Sequence, residues 1–159
     1  MTIQPLTLKE QATNFDTFRH IERLRNLLNV FVIALLRRGE IHDQSKLEPP
    51  EVSLFTAVSG QLSGLTYGSP EYTEALKNLG PALEHHYANN RHHPEYFEHG
   101  IEDMNLVDLM ELLADWKASS ERHADGSIRK SIKYNSKRFN ISPQLQRVLE
   151  NTIELLERR

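Results

Sequence analysis

The sequence predicts an all-α protein, a single compact helical domain of six to seven helices. Three observations carry this. Apolar residues recur at helical spacing over long stretches, strand-like alternation never persists beyond a few residues, and helix start and stop signals punctuate the chain repeatedly. At 159 residues the chain is the size of one domain, spanning 1–159, with 1–12 expected as a poorly ordered or loosely docked N-terminal segment.

The first helix is expected from Asn14 to Arg38, capped by Thr13 or Asn14, with Asp16 in its first turn and Arg37-Arg38-Gly39 at its end. Its apolar face holds Leu24, Leu27, Phe31 and Leu35, and His20 falls on that same face. A short segment from Glu40 to Leu47 leads to Pro49-Pro50, which restart a helix from Glu51 to Val58. Residues 59–69 read as loop, and Ser69-Pro70-Glu71 opens a helix to Asn89, bent or divided at Gly80-Pro81. The stretch Arg91-His92-His93-Pro94 leaves helical geometry because a residue before proline is biased to extended backbone. Asn105 and Asp108 form a capping box at the start of a helix from Leu106 to Ser119, in which Leu109, Leu113 and Trp116 make one apolar row and Asp115 sits at the edge of the buried face. Asp125-Gly126 turns the chain into a helix from Ile128 to Phe139 that Asn140 ends in left-handed geometry. Ser142-Pro143 opens the last helix, with its stripe through Leu145, Val148, Leu149, Thr152, Leu155 and Leu156.

Composition narrows the chemistry. There is no cysteine, which removes disulfides, thiolate metal sites and a thiol nucleophile, so any metal must be held by nitrogen and oxygen. The net charge of −3 gives no sequence-wide basic field, so nucleic acid is a possible but unfavoured partner. No apolar run approaches the ~20 residues of a membrane span, and no signal layout opens the chain, so a cytoplasmic protein without membrane association is expected, with a homo-oligomer possible. Histidine is the unusual count: five of the eight lie between 85 and 99.

The polar residues that phase or loop position sends inward are His20, the pair His42-Asp43, His85 or His86, His92 or His93, and Asp115. Imidazole with carboxylate suits Mn, Fe, Co, Ni or Zn, as one or two ions. His86 is preferred to His85 because it continues the ridge of Leu79, Ala82 and Leu83. Asp108 is explained as a cap, whose replacement by Asn costs less than ~2 kcal/mol. Glu111 and Asp103 read as solvated, His99 and His123 as surface histidines, and Arg129, Lys130, Lys133, Lys137 and Arg138 as a solvated basic face.

The order His20, His42-Asp43, Asp115, with further histidines between, resembles the H…HD…D pattern of the HD-domain metal-dependent phosphohydrolase superfamily. More closely, His42-Asp43-Gln44-Ser45-Lys46, the stretch His85 to Glu95, and Met104-Asn105-Leu106 through Asp115-Trp116-Lys117 are similar to a family of short phage and bacterial HD-like proteins with no assigned function. The resemblance implies an HD-domain-like fold in which His20, His42, Asp43 and Asp115 hold a first metal, Asp43 bridges, and His86 with His92 or His93 holds a second. It places Lys46 near a substrate phosphate, and Arg91, inside the histidine loop, could clamp one bidentately.

Three functions fit these residues. The leading expectation is a phosphohydrolase that uses metal-activated water on a nucleotide or related small phosphate ester, with Asp43, Lys46 and Arg91 catalytic. No glycine-rich phosphate loop is present, so recognition rests on metal and cations. The alternatives are an HD-like di-iron oxygenase and a non-catalytic, metal-stabilised binding module.

Overall fold

The computed structural model describes residues 5–62, 65, 69–71, 74, 79–122 and 126–157. Among them the protein is all-helical, with six α-helices: α1 (Leu8–Ile41), α2 (Glu51–Leu62), α3 (Gly80–Asn89), α4 (Leu106–Ser120), α5 (Ile128–Arg138) and α6 (Pro143–Glu157). Short 3₁₀ turns cover Gln44–Leu47, Pro94–Tyr96 and Gly100–Asp103.

α1 is longer than expected at both ends. Thr7 accepts from the Glu10 amide while the Glu10 carboxylate takes the Thr7 amide, a capping box that starts the helix six residues earlier than Asn14. Residues 8–12 are thus helical, and all of them are exposed. Gly39 does not stop the helix either. A glycine inside a helix costs only ~1 kcal/mol, and Arg38 is anchored at 2.6 Å on Asp108 and 2.5 Å on Glu111. The chain turns at His42, and Asp43 takes a left-handed conformation with φ of 57°.

α2 likewise runs to Leu62, past the expected Val58. The helix expected from Ser69 falls largely on positions outside the described residues, as do His123 and Asp125; its second part is α3, which starts at Gly80 with Pro81 in its first turn.

The main core lies between α4, α5 and α6. Leu112, Leu113 and Trp116 meet Ile128, Ile132, Ile141, Leu149 and Ile153, with Ile132 and Ile153 fully buried and the Trp116 ring stacked on Phe139. Asn105 caps α4 with Asp108 as expected, and Asn140, at φ 50°, ends the turn after α5. A second, smaller cluster packs Leu79, just before α3, and Ala82 within it on Leu54 and Phe55 of α2. Between these two clusters the C-terminal end of α1 lies on α4, and the histidines gather there.

Candidate metal centre

Asp43 is the hub. Its left-handed backbone, a conformation asparagine and aspartate tolerate better than other side chains, turns the carboxylate so that its two oxygens face different groups. Oδ1 faces His86 Nε2 at 3.4 Å and His92 Nε2 at 3.6 Å. Oδ2 faces His42 Nε2 at 3.4 Å and the Lys46 ammonium at 2.6 Å.

The first side of the hub is a set of four. Asp43, His86, His92 and His93 each offer a ligand atom within 4.8 Å of the others, and His86 Nε2 lies 2.9 Å from His93 Nε2. The loop before Pro94 therefore contributes both of its histidines. On the second side, His42 and Asp43 are joined by Asp115 of α4, with His42 Nε2 3.7 Å from its Oδ1.

Two buried glutamates aim these rings. Glu51, fully buried at the start of α2, holds His86 Nδ1 at 2.9 Å and His85 Nδ1 at 2.7 Å. Glu111 of α4, 8% exposed, holds His42 Nδ1 at 2.9 Å and His92 Nδ1 at 3.3 Å. Nδ1 of His42, His86 and His92 thus each faces a carboxylate, so that Nε2 points inward, where it would serve as a ligand once it gives up its proton, the carboxylate–histidine arrangement that orients metal ligands. Asn90 completes this support by donating to the Ser45 hydroxyl and the His86 carbonyl, both at 2.8 Å.

The electrostatics show a site short of positive charge on one side and crowded with rings on the other. Hydrogen bonds with Asp115, Asp43 and Glu111 push His42 up to about 11. Burial opposes ionisation of Asp43 and Glu111, yet hydrogen bonds override it: His42 and Lys46 hold Asp43 well below the carboxylate range, and His42 and His92 hold Glu111 down to about 2. His93 goes the other way, down to about 2, because burial and the neighbouring charges of His92, His86 and Lys46 disfavour a second positive charge. Burial likewise lowers His86.

The donors fit a metal. Asp43 Oδ1 and His92 Nε2 are both buried without a hydrogen-bond partner and lie 3.6 Å apart, a cost of ~1–3 kcal/mol per group that a shared cation would remove. Nitrogen and carboxylate oxygen lie on both sides of Asp43, a donor set that suits transition-metal ions.

Of the residues the sequence singled out, His42, Asp43, His86, His93 and Asp115 come together here, and His92 with them. His20 does not. It is exposed on α1, 22 residues before His42 on one continuous helix, or about 33 Å at 1.5 Å per residue. Its apolar face is not a core face, since α1 has no buried residue. Arg91 is engaged elsewhere: its guanidinium takes both Asp108 oxygens at 3.2 and 3.1 Å and stacks over Phe97. Asp108 is therefore more than a cap, being fully buried between Arg38 and Arg91. Glu111, expected in solvent, is buried in the site. Lys46, 40% exposed, remains the cation beside the hub, while His99 is exposed as expected. The basic face is partly neutralised, with Arg129 on Glu157 and Arg138 on Glu95.

A helical protein with a two-sided histidine–carboxylate centre is the class that this fold and site define. The chain belongs to the family of unknown function DUF5662, which matches residues 9–155. No curated protein and no solved structure matches it.

Proposed function

We propose that this protein is a metal-dependent phosphohydrolase acting on a nucleotide or related small phosphate ester. One observation carries the reading: the two oxygens of Asp43 face two separate ligand sets, Oδ1 toward His86 and His92 and Oδ2 toward His42, with Asp115 beyond it. A carboxylate so placed could be shared by two ions, one held with His86, His92 and His93 and one with His42 and Asp115. When bound, Mn, Fe, Co, Ni or Zn ions supply Lewis acidity and an activated water there.

The chain's own residues supply position and charge. His42, His86 and His92 are oriented by Glu111 and Glu51 so that Nε2 points into the site. Lys46 stands at the open edge, where its ammonium can leave Asp43 for a substrate phosphate as charge develops. Arg91 contributes from behind, by fixing Asp108 and through it Arg38 and the C-terminal end of α1.

The test is a screen of nucleotides and generic phosphate esters with each metal in turn, alongside elemental analysis. Turnover that requires metal, disappears with chelator and falls roughly a hundredfold in Lys46→Met, which keeps its metal, is expected. No turnover with any metal, together with bound iron that consumes oxygen, would replace this reading by the oxygenase. Metal that binds and stabilises without any turnover would leave the binding module.

A further inference from the structure

α1 is more apolar than its surroundings allow. Eight large apolar residues between Leu24 and Leu36 are each 42% to 64% exposed, and they point in every direction around the helix. A helix apolar on all sides is normally enclosed. Upstream, Phe15 and Phe18 are each 64% exposed. Seven of these ten, Phe15, Phe18, Leu28, Val30, Val32, Ile33 and Leu36, lie within about 100° of Asn29 around the helix, and at ~150–250 Å² per large side chain their exposures amount to roughly 700 Å², close to the ~800 Å² each partner gives a standard interface.

We propose that α1 pairs antiparallel with α1 of a second copy, about a two-fold axis at Asn29. At about 100° per residue, Phe18, Glu22, Asn29, Ile33, Leu36 and Glu40 fall within an arc of about 60°. Asn29 is the one polar residue between Leu27 and Leu36, and a lone asparagine in an apolar helix seam fixes register by pairing with its own symmetry mate. The flanking charges choose the direction. Arg37 is eight residues past Asn29 and Glu22 seven before it, while Glu40 is eleven past and Arg19 ten before. An antiparallel pair therefore sets Glu22, which within its own helix takes Arg25 at 2.6 Å, beside the mate's Arg37 as a second cation, and Arg19 beside the mate's glutamate, twice each by symmetry. A parallel pair sets like charges together, and its helix dipoles repel.

A membrane fits this helix less well. Its ten-residue apolar run, about 15 Å long, spans half of a ~30 Å hydrocarbon core, and a surface-lying helix needs a charged face that this run lacks. No helix among the described residues is long and apolar enough to cross a bilayer.

The absence of cysteine makes a direct test clean. Sedimentation of the full chain at micromolar concentration should give a dimer, and Ile33→Glu, at a 48% exposed position on the Asn29 face, should raise its dissociation constant at least tenfold with helical content kept. Asn29→Cys should form a disulfide-linked dimer on mild oxidation, and Ile33→Cys should not, because mates at 33 are displaced by eight residues, ~12 Å, beyond disulfide reach. Glu22→Arg should weaken the dimer and Arg37→Glu added to it should restore it. A monomeric wild-type chain, including one that instead floats with phospholipid vesicles, overturns the proposal, and equal cross-linking at 29 and 33 overturns the antiparallel register.

Discussion

At the scale of residues, the site is a set of rings whose aim depends on carboxylates behind them. Glu51 and Glu111 touch Nδ1 of His86 and of His42 and His92, so Glu51→Gln and Glu111→Gln keep size and most of the packing while removing the negative charge that aims the rings. Each should weaken metal binding about 10- to 100-fold without unfolding the protein, measured by competition with a chromophoric chelator; unchanged affinity in both would show that these contacts do not orient ligands. The aspartates of α4 separate in the same way. Asp108→Asn leaves Arg38 and Arg91 facing a neutral group in a buried pair, and should cost ~3 kcal/mol in chemical denaturation, more than a cap alone. Asp115→Asn should leave stability nearly intact and abolish metal-dependent turnover. Sequence made His42, Asp43 and Asp115 legible because a turn after a long helix and an acid at the edge of an apolar row are local signals. Glu111 was equally available: Asp108, Glu111 and Asp115, at i, i+3 and i+7, share one face of α4, and an acidic stripe inside an apolar helix has no reason to be solvated.

At the scale of elements, the sequence reads starts and stops well where a side chain or a left-handed residue makes them, and poorly where tertiary contacts extend a helix. The Asn105–Asp108 box and the Asn140 turn are chemistry within a few residues, and both stand where expected. Gly39 shows the opposite case, since the ion pairs of Arg38 to α4 outweigh the local preference to end. That continuation removes His20 from the centre, a conclusion that helix rise alone permits once α1 is a single rod. Asn140 offers a direct test of the local reading. The Ile141 amide donates to the Ser136 carbonyl across a residue at φ 50°, so Asn140→Gly should be neutral or stabilise by up to ~1 kcal/mol, and Asn140→Val should destabilise by more than the ~1–2 kcal/mol cost of left-handed geometry, compared by thermal melting.

For the whole molecule, the centre is also a joint. Its groups come from the end of α1 (His42, Asp43), from α3 (His86), from the turn at 92–93 and from α4 (Asp115), while α1 itself contributes no buried residue to either core cluster. Besides the Arg38 ion pairs and the contact of its last turns with α4, the attachment of α1 runs through side chains that a metal would draw together. Metal binding to the folded state alone stabilises by ~2.7 kcal/mol at a hundred times the dissociation constant, which for a chain of this size raises the melting temperature by roughly 5–10 °C. Addition of Mn, Co, Ni or Zn to chelator-treated protein should give such a shift, and Asp43→Asn, which keeps a side chain suited to left-handed backbone, should abolish it. Hydrogen exchange locates the effect: amides in the last turns of α1 and in α3 should slow with metal, while those of α5 and α6, buried around Ile132 and Ile153, should stay as they were. Uniform protection across all helices would show instead that the ions act on global stability and leave the local hold on α1 unchanged.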